Sequence, residues 1–131
     1  MFKSLICLAL ATTTLTAMAQ EQVVNLYSAR HYSTDEALYN NFTKTTGIKI
    51  NRVDADDAGI LARLKAEGSA SPADVILLVD AVRLNKGHTD GLFMPVKPKI
   101  LEDAIPAQYR AKASADGTTW FGFSTRARVV V

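Results

Sequence analysis

The chain has 131 residues, of which 48% are hydrophobic and 21% are charged, with 15 Lys and Arg against 13 Asp and Glu. This length suits one domain, and a net charge of +2 lacks the basic or acidic excess that would indicate a nucleic acid or an anionic membrane as partner. A single cysteine excludes a disulfide within the chain.

Residues 1–19 predict a signal peptide that is removed on export. A basic Lys3 precedes an apolar stretch, and Ala17–Ala19 is a small-x-small cleavage motif that predicts a cut before Gln20. The apolar stretch is too short to span a bilayer. The only cysteine, Cys7, lies inside this segment, so the exported chain offers no thiolate site for a metal.

The first strand of the exported chain is predicted at Val23–Tyr27, and it leads into the loop Tyr27–Tyr32, Tyr-Ser-Ala-Arg-His-Tyr. Ser33–Glu36 predicts a helix start, with hydroxyl caps followed by two acids in the first turn. Ligands of open α/β sheets bind at the carboxyl ends of strands. The loop therefore concentrates a guanidinium, an imidazole and two phenols at a predicted binding edge.

Strand and helix patterns then alternate along the chain. The next predicted elements are a helix at Thr34–Thr46, a strand at Ile48–Val53, a helix at Ala58–Glu67 and a strand at Ala73–Val79. Helical spacing places Leu38, Phe42 and Thr45 on one face of the first helix. In the second helix it predicts an inward stripe of Ile60, Leu61 and Leu64. The third predicted strand, residues 73–79, contains an apolar run. Such a run is typical of a strand buried on both faces.

In the last third of the chain, Asp80 is predicted to cap a short helix, and Gly87–Gly91 is predicted to form a polar loop. Trp120–Phe123 and Arg128–Val131 predict the final strands. The repeated strand-helix units favour an α/β fold, a parallel-rich sheet with helices on both faces. Because the chain stops within a strand pattern, we expect it to be a truncated piece of a longer protein.

Tyr32 and His31 are the first candidate site residues. Tyr32 could pack its ring on the scaffold and leave its hydroxyl in water. Alternatively, it could be an oxygen ligand for a hard cation, with His31 as a second ligand or as its neighbour, because hard metals prefer oxygen donors. Adjacent loop residues rarely point the same way, so Tyr32 is the favoured direct ligand.

Arg126 and Arg128 are the second candidates, because strand alternation places both on one face. They could form a solvated edge strand, or one guanidinium could hold an anion through its bidentate fork. Asp80 could be a helix cap or a ligand at the same edge. No serine-nucleophile, zinc-protease or phosphate-loop motif is present, which favours a binding protein, with a secreted hydrolase as the alternative from a different class.

Four segments resemble the N-terminal part of periplasmic ferric-iron-binding proteins, the soluble receptors of iron ABC importers. They are Val24–Tyr32, Phe42–Ile50, Glu67–Val75 and Trp120–Val131. The resemblance implies a two-lobed, Venus-flytrap periplasmic-binding-protein fold, of which residues 20–131 are the first lobe, with Fe³⁺ bound between the lobes. Parts of the pattern also suit receptors of phosphonates or other small anionic solutes, which is the alternative function.

The resemblance also implies roles for individual residues. Tyr32 would bind iron together with second-lobe tyrosines that this sequence does not contain, and Arg126 would hold a carbonate anion. Direct ligation by His31 is less expected, because Val79 stands where the histidine-using members have a glutamate. The implied protein is a monomer in the periplasm, is not an enzyme, binds no nucleic acid and delivers iron to an ABC permease in the inner membrane.

Overall fold

The structure is a computed structural model that describes residues 21–125. Its helices and strands are β1 Val23–Ser28, α1 Ser33–Thr46, β2 Lys49–Asp54, α2 Asp57–Glu67, β3 Val75–Leu77, α3 Ala81–Thr89 and α4 Lys99–Ala104. Residues 1–19, Arg126 and the predicted strand Arg128–Val131 lie outside the described residues. Within the described part, no helix combines the length and the apolar character needed to cross a membrane.

The three strands form one parallel sheet in the order β2-β1-β3. β1 pairs with β2 along its whole length, and its last three residues pair with β3. The chain crosses from β1 to β2 in one direction and from β2 to β3 in the other. Because such crossovers are right-handed, α1 and α2 lie on opposite faces of the sheet. The predicted parallel sheet with helices on both faces is therefore confirmed.

The hydrophobic core lies between the sheet and α2. The buried cluster contains Tyr27, Ala29, Ile60, Leu61, Leu64 and Leu78. The predicted inward stripe of α2 is therefore confirmed. Asp56 caps this helix, since its carboxylate accepts from the Gly59 backbone N–H at 2.7 Å. A rigid α2 thus supports the strand that leads into the candidate loop.

The predicted burial of the third strand is wrong. The predicted strand at 73–79 pairs only over Val75–Leu77, and Val75 is 42% exposed, so the strand is not buried on both faces. Among the described residues β3 lies at the edge of the sheet.

The apolar face of α1 is not covered by the described residues. No side chain of this helix is buried, and Leu38 is 59% exposed. Helical spacing shows which residues share a face but not whether anything covers it.

Two element boundaries also differ from the prediction. α3 continues through Gly87 to Thr89, so Gly87–Gly91 is not a loop. A Cβ atom at Gly87 would lie 2.3 Å from Cζ of Phe93, so glycine permits close packing there instead of ending the helix. Trp120–Phe123 forms only an isolated antiparallel bridge, between Arg110 and Phe121.

A polar network fastens β1 to the end of α2. The buried Tyr27 hydroxyl donates to Glu67 Oε1 at 2.9 Å, Arg63 Nε donates to the same oxygen at 2.6 Å, and Ser71 Oγ donates to Oε2 at 2.7 Å. The Ser71 and Arg63 contacts lower the pKa of Glu67 below its usual range, against the opposing effect of burial. The guanidinium of Arg63 also lies 4.8 Å from the centre of the Tyr27 ring.

Replacing Glu67 by glutamine is expected to destabilise the fold most at neutral pH. Because the folded-state pKa of Glu67 is lowered, its stabilising contribution is complete above the ordinary value of 4.5 and is lost as pH falls through the lowered value. Urea unfolding at pH 7 and below pH 4.5 should show a difference between wild type and Glu67→Gln that narrows in acid. Asp103→Asn, which removes a carboxylate from the exposed Lys99 pair, is the control. An equal or wider difference in acid would contradict the assigned charge network.

Candidate functional site

The loop after β1 lies at the point of the sheet where ligands of this topology bind. β1 sits between β2 and β3, and the direction of the crossover connections reverses beside it, which places the carboxyl end of β1 at a topological switch point. The end of the strand is fixed on both sides. The Ala29 N–H donates to the Leu77 carbonyl at 2.8 Å, and the Ala55 N–H donates to the Ser28 carbonyl at 3.1 Å. Residues 30–32 therefore start from a rigid base.

Arg30 turns back onto the protein. Its Nε donates to Asp35 Oδ2 at 2.9 Å and its second terminal nitrogen donates to Oδ1 at 3.1 Å, in a bidentate ion pair. Its guanidinium lies 5.0 Å from the ring centres of both Tyr32 and Phe123. The pair raises the pKa of Arg30 and lowers the pKa of Asp35, so both groups are charged at neutral pH.

Tyr32 and His31 are both exposed at the surface, and Tyr32 is 46% exposed. Together with the first turn of α1 they line a groove of about 270 Å³. The remaining lining residues are Arg30, Ser33, Asp35, Glu36, Tyr39, Arg52 and Asp54. The structure thus brings these two predicted site residues together at one concave surface. The third, Arg126, is outside the described residues.

The start of α1 differs from the predicted hydroxyl cap. Tyr32 itself occupies the N-cap position in an extended conformation, and no side chain caps the helix. The Tyr32 carbonyl accepts from the Asp35 N–H at 3.0 Å. The Asp35 carboxylate, which could have capped the helix, is engaged by Arg30. Tyr32 is consequently fixed at the junction between the loop and the helix.

The two phenols of the loop lie in different environments. Tyr27 is 1% exposed, and its hydroxyl donates a hydrogen bond to Glu67 at the end of α2. Burial, reinforced by the Glu67 hydrogen bond, raises the pKa of Tyr27, so its phenol stays protonated. The sequence-based expectation of two phenols at the binding edge is therefore wrong, since strand alternation turns Tyr27 toward α2.

The acidic residues at the same edge have structural partners. Asp80 caps α3 by accepting from the Arg83 N–H at 2.8 Å, as predicted. Asp57 accepts from the Val79 N–H at 3.0 Å. Val79 itself is exposed beside β3 and presents no ligand atom in its side chain. Within residues 21–125, no group of three or more His, Cys, Asp and Glu side chains is arranged to hold a metal.

The contact of Arg30 with Asp35 and Phe123 was not predicted from the sequence. The bidentate Arg30–Asp35 pair joins residues five apart across the start of a helix. This spacing produces no periodic pattern in the sequence. Phe123 is distant in sequence, and only the fold brings it to the loop. This residue is 57% exposed and its ring lies beside the Arg30 guanidinium.

Comparison with known proteins identifies several relatives. Iron uptake protein A1 of Synechocystis sp. is 49% identical over 112 residues, which cover 86% of this chain and 30% of that protein. The Fe(3+)-binding periplasmic protein of Serratia marcescens is 32% identical over 115 residues, which cover 88% of this chain and 32% of the relative. No protein-family model matches the chain.

Solved structures give the same result. The Trichodesmium protein IdiA, also named FutA, whose structure contains iron and citrate, superposes with a TM-score of 0.70 at 45% identity. The superposition covers 78% of this chain and 31% of that one. The chain thus spans about a third of the length of the relatives it matches. Over that part, the expected resemblance to ferric-iron-binding proteins and the expected α/β lobe are confirmed.

Proposed function

We propose that this chain, a homologue of ferric-iron-binding periplasmic proteins, captures Fe³⁺ outside the inner membrane and delivers it to an ABC importer. The observation that carries the proposal is the exposed Tyr32 phenol at the switch point of the sheet. Relatives named for iron uptake and Fe³⁺ binding support iron as the ligand. The role is binding and release, not catalysis.

The ligand chemistry favours Tyr32 over His31. Fe³⁺ is a small, highly charged cation that prefers anionic oxygen donors, and a bound cation favours the phenolate form of a tyrosine. His31 lines the same groove and is the second candidate. Val79 supplies no carboxylate that could accompany a histidine ligand. Two side chains cannot fill the coordination sphere of Fe³⁺, so the remaining ligands would come from sequence beyond residues 21–125.

Arg126 is proposed to hold a carbonate anion beside the metal. A guanidinium binds a planar oxyanion through two parallel hydrogen bonds. Phe123, three residues earlier, contacts Arg30 in the candidate loop. The segment that leads to Arg126 therefore approaches the site, which supports the proposal.

The groove favours a cation over an anionic solute such as a phosphonate. Its two arginines are engaged by carboxylates, Arg30 by Asp35 and Arg52 by Glu36 and Asp54. These carboxylates neutralise both guanidinium groups and would repel an anionic phosphonate. A hydrolase is less consistent still, because the sequence offers no nucleophile with a matching base.

We further propose that the protein is exported, cut before Gln20 and active as a monomer in the periplasm. Its partner would be the permease of an ABC importer in the inner membrane. Reversible closure of two lobes around the ion would allow tight capture and later release. The relative from Serratia marcescens is named as periplasmic, in agreement with this location.

The whole protein that the gene encodes is expected to bind one Fe³⁺ and to develop a visible phenolate-to-iron absorption band. Fe³⁺ would be supplied as its nitrilotriacetate complex, and competition with citrate would give the affinity. Calorimetry with methylphosphonate and with inorganic phosphate tests the alternative function, which is binding of a small anionic solute. Binding of methylphosphonate without a coloured iron complex would overturn the iron assignment.

A further inference from the structure

The first turn of α1 is held in place by charge instead of by burial. No side chain of the helix is buried. Its two adjacent acids form ion pairs with arginines on different elements. Asp35 pairs with Arg30 in the loop after β1, and Glu36 pairs with Arg52 on β2. Because Tyr32 is the N-cap of this helix, whatever fixes the first turn also fixes the proposed iron ligand.

The two ion pairs differ in strength and in what they touch. In the Arg30–Asp35 pair, the side chains are only 14% and 13% exposed and the contact is bidentate. The Arg52–Glu36 pair is more exposed and shares its arginine with Asp54. Exposed pairs contribute little, whereas a shielded bidentate pair holds a defined geometry.

Arg30 also contacts two aromatic residues, one of which lines the groove. Its guanidinium plane lies within stacking distance of both Tyr32 and Phe123. Because Asp35 holds the Arg30 guanidinium in place, the Tyr32 ring packs against a fixed group. The same group connects the loop after β1 to the segment near residue 123.

We propose that Arg30 is a positioning residue that holds the Tyr32 phenol in the orientation required for metal binding. This inference rests on the function proposed above. Arg30 would not touch the ion, because a guanidinium is a cation without an acceptor lone pair. It would act through Tyr32, so its removal should loosen the ligand before the metal arrives.

The test compares Arg30→Met, Arg30→Lys and Asp103→Asn in the whole protein that the gene encodes. Arg30→Met is expected to speed the loss of Fe³⁺ to excess citrate about tenfold, the lower end of the range for groups that orient a metal ligand. Arg30→Lys keeps the charge but loses the fork and the flat face, so it should give an intermediate rate. Asp103→Asn removes an exposed ion pair of α4, outside the groove, and should stay within about twofold of wild type.

A double-mutant cycle separates positioning from general stability. If Arg30 acts through Tyr32, Arg30→Met should add little to the rate of iron loss in a Tyr32→Phe background. A merely structural role would give the same effect in both backgrounds. Wild-type iron retention in Arg30→Met, or an unchanged effect in Tyr32→Phe, would overturn the proposal.

A measurement on the iron-free protein distinguishes failure of the positioning role of Arg30 from failure of the proposed function. The aromatic proton resonances of Tyr32, observed by NMR, should shift in Arg30→Met and remain unchanged in Asp103→Asn. If wild type itself binds no Fe³⁺, the proposed function fails, and with it the role of Arg30 in iron binding. If wild type binds iron but the Tyr32 resonances are the same in all variants, only the positioning role fails.

Discussion

Replacing Ile60 by alanine is expected to lower the free energy of unfolding by about 2–5 kcal/mol, the usual cost of truncating a buried aliphatic side chain. Ile60 is fully buried at the centre of the cluster that includes Tyr27 and Ala29. Total stabilities of small domains are about 5–15 kcal/mol. The substitution should therefore remove a large share of the stability of the lobe and loosen the base of the candidate loop.

Ile100→Ala is the matched control, since Ile100 is 78% exposed on α4. Urea unfolding of both variants beside wild type should show a large loss of stability for Ile60→Ala and a change within about 0.5 kcal/mol for Ile100→Ala. Similar losses for the two variants would contradict the assignment of the core to the α2 face of the sheet.

The elements around the site could be predicted from the sequence because their signals are local. Gly47 ends α1 in the left-handed conformation, at φ 74°. The spacing of the apolar residues identifies the buried face of α2. The order of strand and helix patterns then implies a parallel sheet. These local signals are sufficient to predict from the sequence alone that the loop lies at the binding edge of the sheet.

The features that could not be predicted depend on what packs against each element. Leu38 has helical spacing suited to a buried face, but it lies exposed. The predicted strand at 73–79 pairs with β1 only over Val75–Leu77. The contact between Arg30 and Phe123 joins segments far apart in the chain. Sequence periodicity carries no information about such long-range neighbours.

The candidate site combines a rigid frame with an exposed tyrosine. Main-chain hydrogen bonds at Ser28 and Ala29 fix the end of β1, and the Asp35–Arg30 pair fixes the start of α1. Tyr32 lies between these two fixed points. A preorganised ligand of this kind loses little conformational entropy when the ion binds, which favours affinity.

Tyr32→Phe is expected to weaken Fe³⁺ binding by about a hundredfold, or ~2.8 kcal/mol, because a phenolate ligand is lost. Phenylalanine retains the ring that lies 5.0 Å from the Arg30 guanidinium, so the fold should change little. The visible phenolate-to-iron band should also weaken or move. A chelator-competition titration followed at that band, with circular dichroism as the folding check, makes both measurements on one sample.

His31→Ala is the matched variant, because His31 lines the same groove one residue earlier. We expect it to have the smaller effect, since Val79 offers no carboxylate partner for a metal-bound imidazole and hard Fe³⁺ prefers the phenolate oxygen. The ranking of the two variants decides which side chain binds the ion. If Tyr32→Phe retains iron as tightly as wild type while His31→Ala releases it, His31 is the ligand, and the exposed phenol does not carry the function.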